Sequence, residues 1–138
     1  MRYLIDTNVL SELRRKTPAP EVLDWFSQRP PASLYLSVLT IGEIRKGVEL
    51  LADATRKATL HQWLSADLPT YFSGRILSID ARVCDRWGRM MAAAGRPVPA
   101  IDSLLAATAA EHNLVLVTRN VKDFVALSVA TIDPWSCP

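Results

Sequence analysis

Little in this sequence points outward. It holds two cysteines, Cys84 and Cys137, with no CxxC pair and no spacing that suits a metal site. A disulfide scaffold and a zinc module are therefore excluded, and a reduced, cytoplasmic setting fits. Cys84 falls in a helical apolar pattern and is expected in the core; Cys137, in the tail, is expected at the surface. No window approaches the ~18 consecutive apolar residues that a membrane span needs. Asp6 breaks the N-terminal apolar stretch too early for a secretory signal. Neither sign of charge dominates: sixteen Lys and Arg against fourteen Asp and Glu leave a formal net charge of +2. That balance permits an RNA or DNA partner but lacks the strong basic excess of a protein that coats nucleic acid. The two histidines, His61 and His112, fit neither a Ser/His/Asp arrangement nor a zinc site. Repeats, low-complexity segments and interior linkers are absent, so one domain spanning 1–138 is expected.

What remains is ordinary globular material, 49% hydrophobic and 22% charged. A chain of 138 residues is long enough to bury roughly 68% of its unfolded surface. "YLI" (3–5) reads as a short buried strand, and "TNVLSELRRK" follows as a helix capped by Asp6 or Thr7. "PAPEVLDWFSQRP" holds a short helix with Pro20 in its first turn. "SLYLS" (33–37) is a second strand, and "VLTIGEIRKGVELL" a helix with Ile41, Ile44, Val48 and Leu51 near helical spacing. "ATRKATLHQWLSADLPTYF" contains a further helix, expected to end before Pro69. "GRILSID" carries a third strand ending near Asp80. "ARVCDRWGRMMAAAG" is a helix stopped by Gly95 and Pro97. A Pro-rich loop leads into an Ala-rich helix near Asp102, then "LVLVT" (114–118) gives a fourth strand. "RNVKDF" is a turn or short helix, and "VATID" a candidate fifth strand. Strands alternating with helices predict an α/β fold: a central parallel sheet of four to five strands with helices on both faces.

In such a sheet, ligands bind outside the carboxyl ends of the strands. Asp6 ends the first strand, Glu43 sits in the first turns of the helix after the second, Asp102 begins a helix after a loop, and Asp123 follows the fourth strand. All four can reach one edge. Carboxylates gathered there repel one another, and a hard cation such as Mg²⁺ resolves the repulsion with few protein ligands and several waters. That chemistry suits phosphodiester hydrolysis, where positioning and charge stabilisation do most of the work. Each residue also has a plainer reading. Asp6 and Asp102 can be helix caps, Glu43 can pair with Lys46, and Asp123 can cap a turn. Their shared location favours the site.

These residues resemble a known family. "LIDTNVLSEL", "TIGEIRKGVELL", "PAIDSLLAATAAEHNL" and "LVTRNVKDF", in this order and spacing, are similar to the PIN-domain ribonucleases. Within them they look most like the VapC-type toxins of bacterial type II toxin–antitoxin pairs, in the FitB-like branch. The resemblance runs from Met1 to the "DPW" near the C terminus. It implies a PIN-like three-layer fold, a Mg²⁺ or Mn²⁺ ion in an acidic pocket, and cleavage of RNA. Matched to the motifs, Asp6, Glu43 and Asp102 take three acidic positions, with Asp6 and Asp102 as metal ligands. The fourth acid in similar proteins stands directly after "TR", here Asn120, or three residues later, here Asp123. Asp123 is taken as the catalytic acid and Asn120 as its polar neighbour, and one or two metals remain open. Asn8 and Thr118 would orient carboxylates or water. The resemblance also implies a homodimer and a DNA-binding VapB/FitA-like antitoxin that inserts a C-terminal segment near the acidic cleft, within a toxin–antitoxin assembly.

Around the acids, Arg14, Arg15, Lys16, Arg45, Lys46, Arg89 and Arg96 are candidates for a phosphate-binding rim. Arg96 stands out because it lies in the loop leading to Asp102. Trp25, Trp63, Trp87 and Trp135 are read as core or interface residues before base-stacking ones. A housekeeping PIN-like nuclease in RNA processing or on DNA flaps and a catalytically silent binding module are the alternatives. A receiver-like phosphoacceptor is disfavoured, because the fourth strand ends in Thr118, Arg119 and Asn120 without the lysine such a domain needs.

Overall fold

The computed structural model describes residues 1–136. β1 (Tyr3–Ile5) is followed at once by α1 (Thr7–Leu13), then α2 (Pro20–Ser27). A 3₁₀ turn at Pro31–Ser33 leads into β2 (Leu34–Ser37), and α3 (Val38–Glu49) follows without a loop. After α4 (Ala54–Gln62) come a π turn at Trp63–Asp67, α5 (Leu68–Tyr71), β3 (Ile76–Leu77) and α6 (Ala81–Ala94). The chain closes with α7 (Ala100–Glu111), β4 (Val115–Val117), a 3₁₀ segment at Val121–Leu127 and β5 (Thr131–Ile132).

The strands form a five-stranded sheet in the order β3-β2-β1-β4-β5, every neighbour parallel. Side chains alternate across a strand, and here the alternation splits one sheet between two cores. Tyr3 and Ile5, Leu34 and Leu36, and Val115 and Val117 face one side, with Val9, Leu10, Val22, Trp25, Ile44 and Val48 of α1, α2 and α3. Leu4, Tyr35 and Leu116 face the other, with Leu105, Ala106 and Ala109 of α7 and Phe124. Helices therefore cover both faces, as the fully apolar strands require.

Three expectations change. The helix containing Trp63 does not stop before Pro69. It widens into a π turn in which the Leu68 N–H bonds the Trp63 carbonyl, and α5 carries Pro69 in its first turn. The missing proline N–H falls where the hydrogen-bond ladder is already shifting, so the chain continues. β3 ends at Leu77, not near Asp80, because Asp80 caps α6 by accepting from the Val83 N–H at 3.0 Å. Cys84 is exposed, not core. On α6 the inward stripe is Val83 with Met90, Met91 and Ala94, and Cys84 is rotated ~100° from Val83. Gly95 ends α6 in the left-handed conformation, φ 70°. Cys137 lies outside the described residues. No described helix is long and apolar enough to cross a membrane.

Candidate functional site

Asp6 follows the central strand and is only 7% exposed. Its backbone N–H donates to the Val117 carbonyl at 2.9 Å, which holds the residue in line with β1 and β4. Its carboxylate is engaged on both oxygens. Oδ1 accepts from the Thr7 N–H at 2.7 Å; Oδ2 accepts from Thr118 Oγ1 at 2.8 Å and from Asn8 Nδ2 at 3.4 Å. Asp6 is thus a helix cap and a member of the cluster at once. Asn8 also binds the loop after β4, its Oδ1 accepting from the Arg119 N–H at 3.2 Å. Asn120 joins only through its backbone, its N–H donating to Thr118 Oγ1 at 3.1 Å.

Glu43 reaches the same edge from α3. It does not pair with Lys46: its Oε1 accepts from Thr7 Oγ1 at 2.6 Å. Thr7 is the residue that sequence reasoning took only as a cap. It spans 36 positions to fix Glu43, and no local pattern signals that. Asp102 lies in the first turn of α7 and is not its cap, which is Pro99. Its carboxylate makes no hydrogen bond or ion pair among the described residues. The turn is positioned from behind, where Trp87 Nε1 donates to Ser103 Oγ at 2.8 Å and Ser103 Oγ donates to the Ala100 carbonyl at 3.0 Å. Asp123 is exposed in the 3₁₀ segment, anchored by the neighbouring buried Phe124.

The four acids share one electrostatic field. Burial pushes the Asp6 carboxyl above its ordinary pKa; the Thr118 and Thr7 hydrogen bonds oppose this, and the charges of Glu43 and Asp102 add to it. Burial likewise raises Asp102, and the charges of Asp123 and Glu43 raise it further. Among the described residues no three His, Cys, Asp or Glu side chains close into a ready-made metal cage. The donor set is nonetheless hard oxygen, Asp102 is unpartnered, and mutual repulsion awaits a cation. This fits a Mg²⁺-like ion, which takes one or two carboxylates and keeps its waters.

The rim is less uniform than its sequence suggests. Arg45 is paired with Glu49 at 3.5 Å and bonded to His61, and Arg89 is paired with Asp85 at 2.9 Å. Arg96 is exposed. Trp25 is core at 3% exposed, whereas Trp63, Trp87 and Trp135 are half-buried.

Comparison with known proteins identifies the family. The PIN domain family matches residues 3–128. Toxin FitB of Neisseria gonorrhoeae is 37% identical over 96% of this chain and 97% of its own. The VapC ribonuclease Y4jK of Sinorhizobium fredii is 31% identical, with 96% of each covered. The crystal structure of FitAcB from Neisseria gonorrhoeae superimposes with a TM-score of 0.93 at 36% identity, covering 98% of this chain and 99% of that one. With the family matched over most of its length and relatives above 30% identity aligned nearly end to end, this chain belongs to the PIN-domain family.

Proposed function

We propose that the chain is a metal-dependent endoribonuclease, the toxin of a VapBC-type toxin–antitoxin pair acting in the cytoplasm, organised as one PIN domain over residues 1–138. The observation that carries this reading is the edge where Asp6, Glu43, Asp102 and Asp123 load one another with charge. Asp6 and Asp102 are the ligands of a divalent cation, Mg²⁺ first and Mn²⁺ second. When bound, that ion supplies the positive charge a phosphodiester and an attacking water need. Thr118, Thr7 and Asn8 fix both oxygens of the Asp6 carboxylate at the end of β1. Glu43, its Oε1 tied to Thr7, presents Oε2 to take the proton of the attacking water. As the water oxygen bonds phosphorus, the bond to the leaving ribose oxygen breaks, and that oxygen takes a proton from solvent water. Asp123 completes the acidic field, Asn120 lines the turn beside it, and Arg96 holds RNA backbone. The partners are RNA, a second copy of the chain and a DNA-binding antitoxin. The relatives' names support the toxin and RNA readings, and the solved structure of FitAB bound to a DNA fragment, 34% identical with a TM-score of 0.92, supports the DNA-binding partner. An antitoxin arginine or lysine would match the cleft's charge.

The test is incubation of the purified chain with end-labelled total tRNA and rRNA in Mg²⁺, in Mn²⁺ or in EDTA. Discrete cuts in metal and none in EDTA are expected. The melting temperature should also rise with Mg²⁺, since an ion at about 100 times its Kd stabilises by ~2.7 kcal/mol. Neither cuts nor a metal-dependent shift would defeat the reading. Thr7→Val, which removes the hydroxyl that holds Glu43, should lower cleavage about 10–100-fold while leaving the melting temperature nearly unchanged. Full activity in that variant would show that Glu43 needs no such support.

A further inference from the structure

A crevice adjoins this site, sharing Thr7 and Glu43 with it. It is a cavity of 170 Å³ between α1, α3 and α4, with Thr7, Arg14, Glu43, Gly47, Val48 and Trp63 among its lining residues. Pockets that enclose a whole small molecule usually measure roughly 300–1,000 Å³, so this one takes a fragment about the size of a single nucleobase. Its lining is mainly apolar, which disfavours a phosphate and suits a flat ring. The exceptions are pointed. The Arg14 guanidinium lies over the Trp63 ring, 5.1 Å from its centroid, and no carboxylate pairs with it among the described residues. Arg56 steadies the wall by donating to the Arg14 carbonyl at 3.0 Å.

Gly47 lines the crevice and is itself exposed. It stands inside α3, where glycine is a poor helix former. A Cβ at this position would meet no atom within 4 Å. Packing does not demand a glycine there, so a larger side chain can be placed at this lining position.

We propose that this crevice is a base-binding subsite, taking the nucleobase next to the scissile phosphate of a bound RNA and favouring guanine. The inference rests on the nuclease reading above. Glu43 belongs to both the acidic edge and the crevice wall, so a strand with its phosphate at the acids has a neighbouring base within reach. Trp63, one ring face of which the Arg14 guanidinium covers, bounds the crevice with aromatic surface. Arg14 offers paired donors, which guanine meets with two acceptors, O6 and N7, where adenine presents one acceptor and one donor.

The experiment digests total RNA with wild type, Gly47→Leu, Arg14→Gln and Gly88→Ala, and sequences the cut ends. Wild type should show guanine beside the cut about tenfold over the other bases. Gly47→Leu, which adds a bulky side chain at a lining position, should lose that preference while its melting temperature rises. Arg14→Gln should lose the preference as well. Gly88→Ala, on α6 and equally open, should keep it and control for helix stabilisation. Wild-type cuts without a base preference, or a preference kept in Gly47→Leu, would overturn the subsite and leave the nuclease standing. No cuts by wild type at all would overturn the nuclease reading and the subsite with it.

Discussion

Asp102→Asn is expected to lower metal-dependent RNA cleavage by about 10³-fold and to raise the melting temperature of the metal-free protein. Both effects have one cause. The Asp102 carboxylate has no partner among the described residues and is pushed up by burial, then by Asp123 and Glu43. In the proposed function it serves a bound cation, and without the cation its charge is uncompensated. The gain on removing its charge is no more than about 1 kcal/mol, because the group is partly exposed and water screens it. The sign follows from linkage. For an acid whose folded-state pKa lies above its unfolded one, stability is fully present below the unfolded pKa and lost as pH rises through the folded pKa. In EDTA, wild type should therefore melt at a higher temperature as pH is lowered from 7 toward the raised carboxyl range, and Asp102→Asn should follow a flatter curve. Thermal melts across pH, beside the cleavage assay, check both. Wild-type cleavage by the variant would remove Asp102 from the chemistry, and a lower metal-free melting temperature would show that its charge is compensated after all. Asp6→Asn should lose as much activity but gain less stability. Its two carboxylate oxygens already accept from Thr7, Thr118 and Asn8, and an amide keeps only one acceptor.

Phe124→Ala should cost ~3–5 kcal/mol of stability, a large share of the ~5–15 kcal/mol that a domain of this kind has. The ring is 1% exposed and packs with Leu105, Ala109 and Leu116 between α7 and β4. It is also the anchor of the segment that carries Asp123. The variant should lose cleavage beyond its loss of folded protein, because Asp123 is no longer held at the edge. Phe124→Leu, which refills most of the volume, should recover both. Urea unfolding measures the first effect, and cleavage per folded molecule the second. A loss below about 1 kcal/mol would mean that the segment does not depend on this ring.

The elements were legible because their signals are local. "YLI", "LYLS" and "VLV" are short apolar runs, and α3 and α6 repeat apolar residues at helical spacing. The acidic positions were legible because an acid just beyond a strand, or at a helix start, is visible in the string. The errors were also physical. Pro69 is a helix breaker only where an N–H is needed, and the π turn before it shifts that need. Cys84 sits one residue from the buried stripe of α6, too near for a periodicity to separate without knowing which face is covered.

The sequence by itself determined the parallel α/β class, the approximate strands, and four acids at one kind of position. Tertiary structure alone decided what those acids face. Thr118 reaches Asp6 across 112 positions and Thr7 reaches Glu43 across 36, and both contacts exist only because β1 lies between β2 and β4 in register. The empty place beside Gly47 has no trace in the string either, because a cavity is a relation among α1, α3 and α4. Propensity and periodicity act over a few residues of one element. Charge repulsion, burial and cavities act through space, and only the folded sheet brings those distances to a few ångströms.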